Sequence, residues 1–427
     1  MNILLLAIVL LGLAIVLLRK PHDFLSPESL TIIGWSCVLI LQIILGSLSY
    51  QPSDEFYMSL FVWLAVVLVI CFVLRGKRGT VQRASVNANN GVLTAMFWLS
   101  VALAPLYVVA LFQGAPTDLV MLANWLRHNA QTAVEDLGTL AYLKVLVRCC
   151  LILELCRRGS LRVGRIAWLL MMNIAFGLGI MAKGELLSLG VALVAIAYFR
   201  NRLKPRVVAL ASPVVLVGAY LLNVLRYNPE AEMYSFGSFL ARYVVEPSAA
   251  FGRAPDGTAV DQFGANTFRF FYQLSNSVFG TDYVVADKLK VFVYVPDPVN
   301  VYTVLDPYYV DFGYVGVAFF AVITATFCAI VYRRAVAGSP FCQGVYSYLA
   351  YIVAFQFFQE ELFQSLSVVI QYMFWLAVPF IVGWIAQYRG RNTSSEGDQE
   401  TPALSGRPVD RSSVVAVASD RRRSDGF

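Results

Sequence analysis

Histidine is almost missing from this chain, with two residues in 427, His22 and His128. A His/Cys cluster at metal-ligand spacing is therefore excluded, and neither a metal nor another cofactor is expected. Charge is scarce as well: Asp, Glu, Lys and Arg make up 14% of the chain, against about 25% in ordinary soluble domains. The seven cysteines, at 37, 71, 149, 150, 156, 328 and 342, fall in apolar runs or at their basic ends, which leaves none for a disulfide in a secreted loop. No Walker or dinucleotide glycine pattern occurs. Asp311-Phe312-Gly313 spells the kinase metal motif, but no glycine-rich loop, Val-Ala-Ile-Lys or His-Arg-Asp accompanies it. The energy for any reaction must then come from the substrate. Neither a repeat period nor matching halves with broken helices is present, which weakens a transporter reading.

Hydrophobic residues, by contrast, reach 58%. Eleven apolar runs stand out, at roughly 2–18, 29–48, 57–74, 91–113, 138–156, 166–182, 185–199, 207–225, 308–332, 342–363 and 367–387. Their length makes them helices, because a backbone in hydrocarbon must close its own hydrogen bonds. The expected fold is all-α: a polytopic helical membrane protein of about eleven spans. Residues 1–225 would hold eight helices, 226–307 one large extracytoplasmic loop, 308–388 three more helices and 389–427 a disordered cytoplasmic tail. A tight turn is placed at Lys183-Gly184-Glu185, where a charge pair would be costly in mid-bilayer.

Basic residues give the sidedness. Alternate loops, with the tail from Arg389 on, collect 23 of the 33 Lys and Arg residues, while the opposite face holds eight. By the positive-inside rule the N-terminus is outside and the C-terminus cytoplasmic. The first apolar run is followed rather than preceded by Arg19-Lys20 and reads as a retained reverse anchor.

Three groups of residues carry candidate chemistry on the outer side. Lys144 and Arg148 lie four apart on one helical face. They would either face a cavity and suit a pyrophosphate, or snorkel or pair with Glu154 or Glu135. Arg127, Arg226, Arg253 and Arg269 are each followed eleven positions later by glycine, at Gly138, Gly237, Gly264 and Gly280, whereas Arg242 is not. A planar guanidinium fork fits phosphate oxygens, and a glycine would let backbone approach the ligand; surface arginines of a basic loop are the plain alternative. Carboxylates, among them Glu246, Asp297, Asp306 and Asp311, are interleaved with tyrosines that include Tyr302, Tyr308 and Tyr309. Such a mixture suits sugar rings, although Tyr308 and Tyr309 are expected in an interfacial aromatic belt. Glu360-Glu361 closes the tenth run, an acidic pair that calls for partners.

The segment Asn300-Val-Tyr-Thr303 followed by Pro307-Tyr-Tyr-Val-Asp-Phe-Gly313 and Gly316, after a long arginine-bearing loop, resembles the bacterial oligosaccharide repeat-unit polymerases, the Wzy or O-antigen polymerase group. The likeness in topology covers the whole chain but is sharp only over about 300–316. It implies a metal-independent, GT-C-like glycosyltransferase of the bacterial inner membrane. Such an enzyme moves a growing glycan from undecaprenyl pyrophosphate onto the next lipid-linked repeat unit. The implied partners are those lipid-linked glycans, membrane lipids, and flippase and chain-length regulator proteins, with no nucleic acid. Under this reading Arg226, Arg242, Arg253 and Arg269, with Lys144, Arg148 and Lys183, contact pyrophosphate and glycan, and Asn300 and Tyr302 contact substrate. Glu246 or Asp311 is the base. An O-antigen ligase is disfavoured because no histidine lies between 226 and 300; a polysaccharide transporter or flippase component is the other alternative.

Overall fold

The computed structural model describes residues 9, 12, 23–74, 88–118, 121–122, 125–126, 140, 142–157, 160–179, 183–200, 213, 216–221, 223–224, 235–253, 262–287 and 290–397, with side chains as far as 389. Most of the first apolar run, most of 207–225, Arg127, Glu135, Arg226 and the tail beyond 397 lie outside them. Residues Met1–Trp384 form one compact unit, which carries all the packing below; Ile385–Phe427 form a second, helical as far as Gly397.

The helices are α1 (Pro27–Ile44), α2 (Asp54–Leu74), α3 (Asn90–Phe112), α4 (Leu143–Cys156), α5 (Val163–Gly179) and α6 (Lys183–Phe199). In the large loop follow α7 (Phe236–Leu240), a π-turn (Ala241–Val245), α8 (Glu246–Ala250), α9 (Arg269–Phe279) and a hairpin of β1 (Val293–Tyr294) and β2 (Pro298–Val299). Then come α10 (Asp306–Val336), α11 (Pro340–Ala354) and α12 (Leu366–Gly397). Local chemistry sets the starts. Ser26 caps α1, its Oγ accepting from Ser29 N, with Pro27 and Glu28 in the first turn. Asn89 Oδ1 accepts from the Gly91 and Val92 amides at 2.9 and 3.2 Å, and Ser339 with Pro340 opens α11.

Among the described residues five helices are long and apolar enough to cross a membrane: α1, α2, α3, α10 and the Leu366–Arg389 part of α12. The described residues are therefore those of an all-α membrane protein, apart from the small hairpin. The other expected spans within the described residues are shorter. Helices α4, α5, α6 and α11 have 14, 17, 17 and 15 residues, which at 1.5 Å per residue falls short of a ~30 Å hydrocarbon layer. A short helix suffices for α4 because protein encloses it: nearly every residue from Leu143 to Cys156 is buried, against α3, α5, α6 and α11.

Where α10 meets α2, Tyr308 stacks between Trp63 at 6.0 Å and Phe320 at 4.5 Å. Tyr308 is fully buried and donates to Glu360 Oε1 at 2.9 Å, so it is a core post and not part of an aromatic belt. The glycines of this segment have structural work. Gly313 interrupts α10 at φ 64°, and a Cβ on Gly316 would stand 2.5 Å from the Tyr308 carbonyl.

The run 342–363 is not one span. Helix α11 stops at Ala354, and residues 355–365 fold back as turns around two polar side chains. Glu360 accepts the amides of Leu362, Phe363 and Gln364, at 2.6–3.0 Å. Gln356 accepts from Trp63 Nε1 at 2.7 Å, donates to Thr31 Oγ1 and the Val353 carbonyl, both at 2.9 Å, and its own carbonyl takes the Val304 amide. One side chain thus ties α1, α2 and α11 together. Gln356→Leu would strand the buried Trp63 N–H, a loss of about 1–3 kcal/mol; the expected result is a lower thermal midpoint of the purified protein, with an intermediate value for Trp63→Phe.

Candidate functional site

Three groups of polar side chains meet where α4 and α6 begin and the large loop comes down onto the helices. The first is built on α4. Lys144 Nζ bonds Glu185 Oε1 at 2.8 Å, and Arg148 Nη2 stands 3.5 Å from Glu185 Oε2 and donates to the Glu185 carbonyl at 3.0 Å. Arg148 also reaches Asn173 Oδ1 and Ser188 Oγ, the latter at 3.1 Å. Among the described residues the partner of both cations is therefore Glu185 and not Glu154, which instead takes Arg165 at 3.3 Å and Arg162 at 3.8 Å at the other end of α4. With its side chain 4% exposed, Arg148 is a closed structural node, whereas Lys144 at 34% keeps a face open. Lys183-Gly184-Glu185 opens helix α6 rather than making a turn, which aims Glu185 at α4.

The second group centres on Lys183. Its ammonium lies 3.9 Å from the centre of the Tyr243 ring and 5.1 Å from that of Phe239, and donates to Asn223 Oδ1 at 2.7 Å. Tyr243 Oη donates to the same oxygen at 3.2 Å. Tyr243 belongs to the π-turn, whose wider spiral has a local cause. Pro247 has no N–H for the Tyr243 carbonyl, and the Glu246 amide reaches back five residues to Ala241.

That turn delivers the third group. Arg242 donates to the Pro298 carbonyl of the hairpin at 3.0 Å, and one turn on, Glu246 is completely buried with neither carboxyl oxygen bonded. Burial first, then the neighbouring Asp297 carboxylate, push the Glu246 carboxyl up to about 8, against the opposing pull of Arg242. A carboxyl in such surroundings is held neutral until the pH is mildly alkaline, and it has no local partner to explain it. Beyond it, Ala249 and Ala250 pack on Val293, Val295, Val299 and Tyr302, which fixes the hairpin over α8.

The remaining expected site residues have structural partners. Asp311 accepts Asn266 Nδ2 at 2.9 Å and the Thr267 amide at 2.7 Å, so its oxygens are engaged in anchoring the loop to α10. Arg269 donates to the Ala286 and Gln364 carbonyls at 3.0 and 3.3 Å, and burial lowers its pKa. Arg253 donates to the Gln51 carbonyl at 3.0 Å and sits over Tyr50. Tyr302 Oη donates to the Val291 carbonyl at 3.0 Å, and Lys290, over its ring, pairs with buried Asp306. Asn300 is half-buried just after β2. The glycines eleven residues after Arg253 and Arg269 serve local backbone: Gly264 turns at φ 63° under Phe268 and Phe312, and Gly280 is the left-handed cap of α9. Of the expected residues, then, the structure brings Lys144 to Arg148 and Arg242 to Glu246, and keeps Asp311, Arg253 and Arg269 in separate anchoring roles. Asn173 and Asn223 were not legible as site residues, because a lone asparagine in an apolar run gives no spacing signal. Among the described residues no group of His, Cys, Asp and Glu could hold a metal ion.

Fold and site together define a helical membrane protein with a large loop that buries a protonatable carboxyl beside a guanidinium. No known family, no curated protein and no solved structure matches the chain.

Proposed function

We propose that the protein is a lipid-linked oligosaccharide polymerase, a glycosyltransferase acting at the outer face of the bacterial inner membrane. The observation that carries the reading is Glu246, a buried carboxyl without a hydrogen-bond partner, in the same turn as Arg242 and within the loop. In the reaction the bond from the sugar's anomeric carbon to the pyrophosphate oxygen breaks, and one to the acceptor hydroxyl oxygen forms. Undecaprenyl pyrophosphate leaves with the electron pair, and the hydroxyl proton passes to a base. Glu246 is that base in this reading, because burial gives it the proton affinity that a carboxylate in water lacks.

Arg242 supplies the cation. One of its partners is the neutral Pro298 carbonyl at 3.0 Å, and a pyrophosphate forms charge-assisted bonds about twice as strong as neutral ones. Substrate would therefore draw Arg242 away from Pro298, loosen the hairpin and uncover Glu246. Lys144 and Lys183 extend the positive face towards the helices, where a lipid-borne phosphate enters. The test is deletion of the gene: surface glycan should collapse from long chains to single repeat units, and the wild-type gene should restore length. Unchanged chain length after deletion would rule the reading out.

A further inference from the structure

Helix α9 is amphipathic in the inverted sense. Phe270, Phe271, Leu274 and Val278 share one face by helical spacing, while Arg269, Tyr272, Gln273 and Asn276 occupy the other. In a water-facing loop the apolar face would turn inward. Here the polar face makes the bonds to the protein: Arg269 to the Ala286 and Gln364 carbonyls, and Asn276 Nδ2 to the Tyr283 carbonyl at 2.8 Å. The apolar face is left outward, with Phe271 50%, Leu274 44% and Val278 62% exposed, and no residue of the helix is buried.

What covers this face is indicated by what it adjoins. Phe268, at the head of α9, packs on Phe312 and Phe320 of α10 at 5.9 and 6.1 Å, and Asp311 locks Asn266 and Thr267 to the same turn. The exposed side of α10 there is itself apolar, with Val315 79% and Phe319 59% exposed on a helix long enough to cross a membrane. A run of ring contacts joins the two faces, Phe271 to Phe268 at 6.2 Å, Phe268 to Phe320 at 6.1 Å and Phe320 to Phe319 at 5.3 Å, and α9 carries no charge besides Arg269, whose donors are turned inward. Tyr272 and Tyr283, paired at 5.2 Å, stand beside it, as amphipathic rings do at a headgroup border.

We infer that α9 lies in the bilayer interface, its Phe271–Leu274–Val278 face sunk among acyl chains of the leaflet on the loop's side. The large loop is then anchored flat on the membrane through α9. This holds whether or not the protein is a polymerase.

Spin labels on the full chain in phosphatidylglycerol/phosphatidylcholine nanodiscs test it. Cys37 is exposed and the other six cysteines are buried, so Cys37→Ala gives a background in which Leu274→Cys, Val278→Cys and Gln273→Cys can be labelled singly. Labels at 274 and 278 should collide severalfold more with oxygen than with a water-soluble nickel chelate, and the label at 273 should show the opposite ratio. Nickel access at 274 and 278 equal to that at 273 would mean the face is in water and overturn the inference. Poor access to both agents at 274 and 278 would mean that a second copy or a partner protein covers it, which overturns the inference equally.

Discussion

Glu246→Gln should abolish long-chain glycan while leaving the protein in the membrane in normal amount. The amide keeps the shape of the carboxyl but cannot take up a proton, and general-base catalysis contributes about 10²–10⁴-fold in rate. Activity of the wild type should rise with pH towards about 8, where the buried carboxyl ionises. Folding stability should move the other way. Glu246 has a folded pKa of about 8 against an ordinary value of 4.5, so the folded state holds the extra proton between them. The stability this gives is fully present below about 4.5, declines as pH rises and is gone above about 8. Glu246→Gln should flatten that slope and raise the thermal midpoint at pH 8 and above. Full-length glycan made by Glu246→Gln would remove the base assignment even if the pH slope vanished, since the slope reports burial alone.

Arg148→Met should lower the amount of protein in the membrane sharply. Three acceptors, the Glu185 carbonyl, Asn173 Oδ1 and Ser188 Oγ, lose their donor at once, and the Glu185 carboxylate, which keeps Lys144, loses one of its cations. Removing one partner of a buried pair costs about 3–5 kcal/mol, whereas replacing both is often close to neutral. The combination Arg148→Met with Glu185→Gln should therefore recover part of the abundance, as measured on membranes by quantitative blotting, since Asn173 and Ser188 still lack a donor. Recovery of abundance without recovery of chain length would show that Lys144 needs Glu185 for its position. Lost chain length in Arg148→Met at normal abundance would instead give Arg148 the role in substrate contact that its place in the sequence suggests.

Much of the helical framework was legible because apolar runs report what lipid and helix backbone require. α2, α3 and α10 fall close to the runs 57–74, 91–113 and 308–332. The run 342–363 misled because its polar members, Gln356 and Glu360, are too few to break a hydropathy pattern, yet each needs several partners once buried. Tyr308 misled for a related reason: a tyrosine at the mouth of a span looks like a belt residue until its hydroxyl finds Glu360.

The candidate site divides in the same way. Composition and spacing by themselves determined that this is a helical membrane protein, because the free energy of apolar surface and of unpaired backbone depends on local sequence. They also placed Lys144 and Arg148 on one face, since helical geometry is local. Which carboxylate stays without a partner was decided by the tertiary structure alone. Glu246 and Asp311 look alike in the sequence, but Asn266 and Thr267 come to Asp311 across 45 and 44 residues, while Glu246 is buried near Asp297 and Arg242 and is brought no donor. Proton affinity depends on burial and on charges brought near by long-range packing, and neither is written in the neighbours along the chain.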